Sequence, residues 1–141
     1  MDEMKQVHTD ADRHIDVSLV KDCLQKGDAK LALQYCHELL AENSQHVQVL
    51  SFAALASRSL GWLDIALDFI NRAMVVEPHQ PAIHSLMGDI LLLQKRPEHA
   101  LTELFKAKHL GDDSAQLNFN IGSAYLALAV YDDAKIYFDQ A

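Results

Sequence analysis

Small and large apolar residues recur along this chain every 34 residues in one register, and no stretch alternates polar and apolar at period two between turn signals. The recurrence predicts stacked helical hairpins, and the missing alternation removes the strands that would compete with them. Ala32, Ala66, Ala100 and Ala134 form an unbroken column. Val20, Ala54, Gly88 and Gly122 form a second. Two columns of mostly larger or apolar residues support the frame: Cys36, Ile70, Leu104 and Phe138, then Leu39, Ala73, Ala107 and Ala141. The register divides the chain into a polar segment 1–12, units 13–46, 47–80 and 81–114, and an incomplete unit 115–141. Helices are predicted near 14–26, 28–43, 46–60, 62–77, 80–94, 97–110, 114–129 and 131–141.

Each column has a physical reading. Antiparallel helices approach closely only where facing side chains are small, so Gly88 is expected against Ala100 and Gly122 against Ala134. Gly27, Gly61, Lys95 and Ala129 fall where the first helix of each unit must stop. Glycine takes the left-handed conformation of such a stop freely, whereas lysine or alanine there costs roughly 1 kcal/mol. Pro97 falls in a first helical turn, which tolerates proline, and Pro78 and Pro81 flank the boundary between the second and third units.

The runs Leu86-Met87-Gly88 followed by Ala100, and Ile121-Gly122-Ser123-Ala124-Tyr125 followed by Tyr131 and Ala134, resemble the tetratricopeptide repeat family. Its unit carries a small residue at the eighth place, a glycine near the fifteenth, an alanine at the twentieth and a proline near the end. The resemblance covers everything after the first dozen residues. The first unit departs most, with Val20 at the small place and Ser44 at the proline place. The resemblance implies an all-α, right-handed superhelical array of antiparallel helix pairs that binds protein.

Composition agrees with a chain that builds a continuous core without disulfides or metal: 50% of its 141 residues are apolar and 23% charged. Cys23 and Cys36 fall on inward positions of one hairpin, fit no zinc spacing and read as buried thiols. Met1 to Asp12 carries four acids against one lysine and cannot be a secretory signal; the longest greasy stretch, Ile83 to Leu93, is too short to span a bilayer. A cytoplasmic protein without membrane association is expected.

Candidate chemistry is sparse. There is no phosphate-cradling glycine loop, nucleophile elbow or His-Glu-x-x-His run, so no catalytic residue, cofactor site or enzyme activity is expected. Asp112-Asp113 and Asp132-Asp133 read as acids at helix starts. His46, His79, His84, His99 and His109 form no i, i+4 pair with an acidic third ligand; they read as solvated or capping side chains rather than a metal site. The net charge of −8 is spread over the segment and all four units, and no basic stripe interleaves with aromatics, which disfavours nucleic acid.

In tetratricopeptide arrays the first helices line the concave face, which implies a peptide-binding groove. By register its walls are Val17, Lys21 and Leu24; Ser51, Leu55 and Arg58; Ser85, Asp89 and Leu92; and Phe119, Ser123 and Leu126. The mixture is apolar with small hydroxyls and three isolated charges, suited to a peptide or protein segment held by packing and a few polar anchors; the leucines at places 24, 92 and 126 equally suit helix–helix packing. The carboxylate clamp of chaperone-binding members is essentially missing, with Val17, Lys21, Phe52, Ala82 and Leu86 at its places. The asparagine ladder of the O-GlcNAc transferase superhelix keeps only Asn120, against Ser18, Phe52 and Leu86. The leading expectation is an interaction scaffold from the N-terminal part of a larger protein. Alternatives are a stand-alone chaperone for exported proteins, similar to those of type III secretion, and a recruiting module joined to a transferase domain. Ending at Ala141 inside a unit, the chain is expected to be an excised module whose last helix exposes Ile136 and Phe138, with a homodimer through that helix as the simplest cover.

Overall fold

The computed structural model describes residues 15–141; the polar segment 1–12 and the start of the first unit lie outside them. Among the described residues the fold is all-helical, as four consecutive hairpins: α1 (Val17–Gln25) with α2 (Ala29–Glu42), α3 (Val47–Ser59) with α4 (Leu63–Val76), α5 (Pro81–Leu93) with α6 (Pro97–His109), and α7 (Ala115–Ala127) with α8 (Tyr131–Asp139). Every observed helix lies within its predicted span, ending at most three residues short.

One backbone device makes all four hairpin turns. The amide of the residue two places beyond the last helical one bonds back to the third carbonyl before it, and the next amide reaches the fifth: Gly27 to Leu24 (3.1 Å) and Asp28 to Cys23 (2.9 Å) in the first unit, Ala129 to Leu126 (3.0 Å) and Val130 to Tyr125 (2.9 Å) in the last. The geometry needs a left-handed residue at the turn, and Gly27 (φ 79°), Gly61 (φ 77°), Lys95 (φ 63°) and Ala129 (φ 60°) all supply it. Asp16, Asp28, His46 and Ser114 cap the helices that follow them, each accepting from the amide three residues on. Pro81 and Pro97 stand in first turns.

Within the hairpins the alanine column is buried throughout. The glycine column differs from expectation in its partner. The Ala100 carbonyl does come within 3.3 Å of where a Gly88 Cβ would stand, yet Leu104 Cδ2 is nearer, at 2.5 Å. At Gly122 the corresponding atom is Phe138 Cδ1, at 2.8 Å. The missing Cβ thus makes room for a large side chain one turn beyond the alanine, on the facing helix. Cys23 and Cys36 are buried and unbonded to each other; burial, with Cys23 beside it, pushes the Cys36 thiol up to about 12, leaving it inert.

Successive hairpins stack through neighbouring helices, and first helices also touch first helices: α1 meets α3, α3 meets α5, and α5 meets α7. No second helix meets another second helix among the described residues. The first helices therefore form the inner row of a curved stack, and the groove must be sought there.

Candidate functional site

The first helices of the second, third and fourth hairpins enclose a cleft of about 1020 Å³. From α3 it takes Val47, Gln48, Ser51, Phe52, Leu55 and Arg58; from α5, Ala82, Ser85, Leu86, Asp89 and Leu93; from α7, Gln116 and Asn120. Loop residues Glu77, Gln80 and Asp112 also line it. On α3 and α5 these residues follow the spacing i, i+3, i+4, i+7 of one helical face, so the stacked hairpins present two such faces side by side.

Polar side chains in the cleft are tied to each other across it. Arg58 on α3 is ion-paired with Asp89 on α5. The Ser85 hydroxyl donates to Asp112 Oδ2 at 2.9 Å, and the Ser114 amide donates to Asp112 Oδ1 at 2.9 Å. Partial burial works to raise the Asp112 pKa, but the Ser114 and Ser85 hydrogen bonds outweigh it and hold the carboxyl below its usual range. Gln116 donates to Asn120 at 3.0 Å.

Of the predicted groove residues, Ser51, Leu55, Arg58, Ser85 and Asp89 line this cleft. Two of the three charges expected to be isolated, Arg58 and Asp89, instead pair, because adjacent first helices bring the twelfth place of one unit beside the ninth of the next. Val17, Leu24 and Leu92 pack against the core, where large apolar side chains gain more than they would at the cleft. Lys21 is exposed on α1 outside the cleft. Phe119, half-exposed, stands against Phe138 with ring centroids 5.6 Å apart. Ser123 donates back to the Phe119 carbonyl at 2.9 Å, and Leu126 is half-exposed at the same end.

Residues absent from the predicted walls are chiefly Gln48, Ala82 and Gln116, and Phe52, Leu86 and Asn120, at the second and sixth places of their units. Helical spacing alone could have found them, since each sits three residues before a predicted wall residue: Ser51, Leu55, Ser85, Asp89, Phe119 or Ser123. Glu77, Gln80 and Asp112 could not be found that way, because loop paths place them.

His84 corrects a second expectation. It is buried, not solvated: Nδ1 lies 2.7 Å from Glu103 Oε2 and Nε2 lies 2.6 Å from the Pro78 carbonyl, which ties α5 both to α6 and to the end of the preceding unit. Burial works to raise the Glu103 pKa, but hydrogen bonds from His84 and Lys106 outweigh it and hold it below its ordinary value. Asn118, at the same place one unit later, accepts from Lys108 at 2.8 Å and donates to Asp113 at 3.1 Å. Asp113 is therefore committed to Lys108 and Asn118, and Asp112 to Ser85 and the loop before α7; of the two acidic pairs, Asp132-Asp133 alone occupies a first helical turn.

At the C-terminal end, Leu126, Tyr131 and Ile136 are exposed. Phe138 is only partly so, since it fills the space beside Gly122. No helix among the described residues is long and apolar enough to cross a membrane.

No protein-family model matches the chain, and no curated protein does. Solved structures do. The chain superposes on MamA with a TM-score of 0.82 over 96% of its length and 81% of that chain, at 16% identity. MamA 41-end from Desulfovibrio magneticus RS-1 gives 0.79 over 87% and 70%, at 14% identity. TTC0263, a thermophilic TPR protein in Thermus thermophilus, gives 0.76 over 87% and 69%, at 22% identity. With its 34-residue frame, its repeated hairpin turn and its inner row of first helices, the chain has the tetratricopeptide repeat fold.

Proposed function

We propose that this chain is a protein-interaction scaffold that holds a segment of a partner protein in the cleft formed by α3, α5 and α7. The observation that carries the reading is the composition of that cleft. Phe52, Leu55, Leu86 and Leu93 supply apolar surface, and Gln48, Gln80 and Gln116 supply amides that can bond a peptide backbone. Its volume suits several side chains of an extended or helical segment. No nucleophile, base and orienting group converge in it. The exposed apolar residues of α7 and α8 support a companion reading, self-association through that end.

Peptides selected on the whole chain from a displayed random library test the first reading. Leu55→Glu is expected to weaken the selected peptides by about tenfold or more, since it places a charge among the apolar anchors. Arg58→Glu is expected to weaken them less, and Asn71→Glu, on the exposed side of α4, not at all. Equal losses from Leu55→Glu and Asn71→Glu would move the site out of the cleft. Light scattering on the same samples over a concentration series reads the companion proposal, which predicts a dimer that Ile136→Glu dissociates.

A further inference from the structure

The charges lining the cleft do not balance. Among the described residues that line it, Arg58 is the only cation, and Asp89 already neutralises it. That leaves Glu77 and Asp112. Glu77 has no ion-pair or hydrogen-bonding partner for its side chain among the described residues. Asp112 is held by Ser85 and Ser114, neutral donors that fix its position without cancelling its charge.

A segment lying over this cleft takes water away from both carboxylates. Covering an uncompensated charge is costly unless the covering molecule brings an opposite one. We infer that the partner segment is basic as well as apolar: a peptide whose hydrophobic side chains pack on Phe52, Leu55 and Leu86 while flanking lysines or arginines meet Glu77 and Asp112. The inference rests on the cleft being the working surface and names the chemical class of its occupant. Hydrogen bonds keep Asp112 ionised through neutral pH, so its half of the attraction persists there. Acidic partners are selected against by the same two groups, and the net charge of −8 acts in the same direction at longer range.

Fluorescence anisotropy with three labelled peptides tests this. The peptides share the same leucines and differ only in whether lysine, serine or glutamate stands at the two flanking positions. The lysine peptide is expected to bind about tenfold tighter than the serine peptide at low salt, with the glutamate peptide weakest and the margin shrinking as salt rises. In the double variant Glu77→Gln with Asp112→Asn, which removes both charges while keeping an oxygen for the Ser114 amide and an amide that the Ser85 hydroxyl can turn to accept from, the lysine margin should collapse while serine-peptide affinity stays unchanged. A lysine margin that survives the double variant assigns the preference to the general acidic surface and overturns the inference. If the serine peptide binds as tightly as the lysine one and Leu55→Glu abolishes both, the cleft reading stands and the charge inference falls. If Leu55→Glu changes none of the three, both fall.

Discussion

The first two hairpins and the last two reach one backbone geometry with different residues. At the turn, glycine serves at Gly27 and Gly61, whereas Lys95 and Ala129 take the same left-handed conformation against their steric preference. Where the helices of a hairpin cross, the register sets Val20 opposite Cys36 and Ala54 opposite Ile70; in the later hairpins Gly88 receives Leu104 and Gly122 receives Phe138. As one column shrinks from valine to glycine, the other grows from cysteine to phenylalanine. The two columns are thus fitted to each other by size and by branching, since the isoleucine beside Ala54 and the leucine beside Gly88 are isomers that differ only in where they branch. Junctions differ too: buried Leu50 opens the second unit, while His84 and Asn118 occupy the same place in the next two and bond to the preceding unit. The early hairpins rely on backbone freedom and apolar packing, with an exposed tie from Arg72 to the Ser44 carbonyl at 3.1 Å, and the later ones on large-into-small fits and part-buried polar ties.

The sharpest way to break this comparison is to move one volume pair without its partner. Gly88→Ala places a Cβ 2.5 Å from Leu104 Cδ2 in an interior hairpin. Overpacking of that kind costs about 1–3 kcal/mol, and better helix propensity returns up to about 1, for a net loss of about 1–2 kcal/mol in urea unfolding. Adding Leu104→Ile rebuilds the Ala–Ile pair of the second hairpin and should recover at least half of the loss. A double variant no more stable than Gly88→Ala would show that the columns do not compensate.

That exchange also marks how far the sequence could be read. The frame, the eight helices of the described residues and the left-handed turns at Lys95 and Ala129 were legible, because period and turn position follow from backbone geometry common to all units. The alanine column was legible as buried, but the occupant of the glycine column was not. Spacing along one helix does not say whether a gap on the facing helix is filled by Ala100 or by Leu104 one turn away. The cleft was half legible for a related reason. Ser51, Leu55, Arg58, Ser85 and Asp89 follow from one face of α3 and α5, whereas Asp112 and Glu77 arrive by loops, and the Arg58–Asp89 pair depends on how adjacent units are offset. His84 was missed because a histidine bound at both ring nitrogens draws its partners from two other elements, with no sequence spacing to betray them.

Acid should separate the two halves. Glu103, Asp112 and Asp113 have carboxyls held below their usual range, chiefly by hydrogen bonds that outweigh burial in the first two and by Lys108 and Asn118 in the third, and all lie in the third unit. A carboxyl with a lowered folded-state pKa contributes stability above its unfolded pKa, and that contribution fades as pH falls through the folded value. Hydrogen exchange is therefore expected to keep α3 to α8 similarly protected above about pH 5, then to show α5 to α7 opening before α3 and α4 as pH drops further. The early hairpins opening first in acid would contradict the placement of the polar ties.

The smallest expected effect concerns the turns and has opposite signs in the two halves. Lys95 and Ala129 adopt φ values of 63° and 60° that cost a side chain roughly 1 kcal/mol, so replacing either with glycine relieves that strain. Glycine also gives the unfolded chain more freedom, which offsets part of the gain and leaves a stabilisation of about 0.5 kcal/mol. At Gly27 and Gly61 a Cβ would meet nothing within 4 Å, so alanine there is opposed only by the left-handed backbone and should destabilise by about 1 kcal/mol or less. Lys95→Gly is the cleaner of the later pair, because it lies in an interior hairpin where fraying cannot dilute the effect. Melting of Lys95→Gly beside Gly61→Ala should move the midpoint in opposite directions. Shifts of the same sign would mean that the third turn gains from its lysine side chain something that outweighs the strain, and the likeness of the four turns would then be one of backbone shape alone.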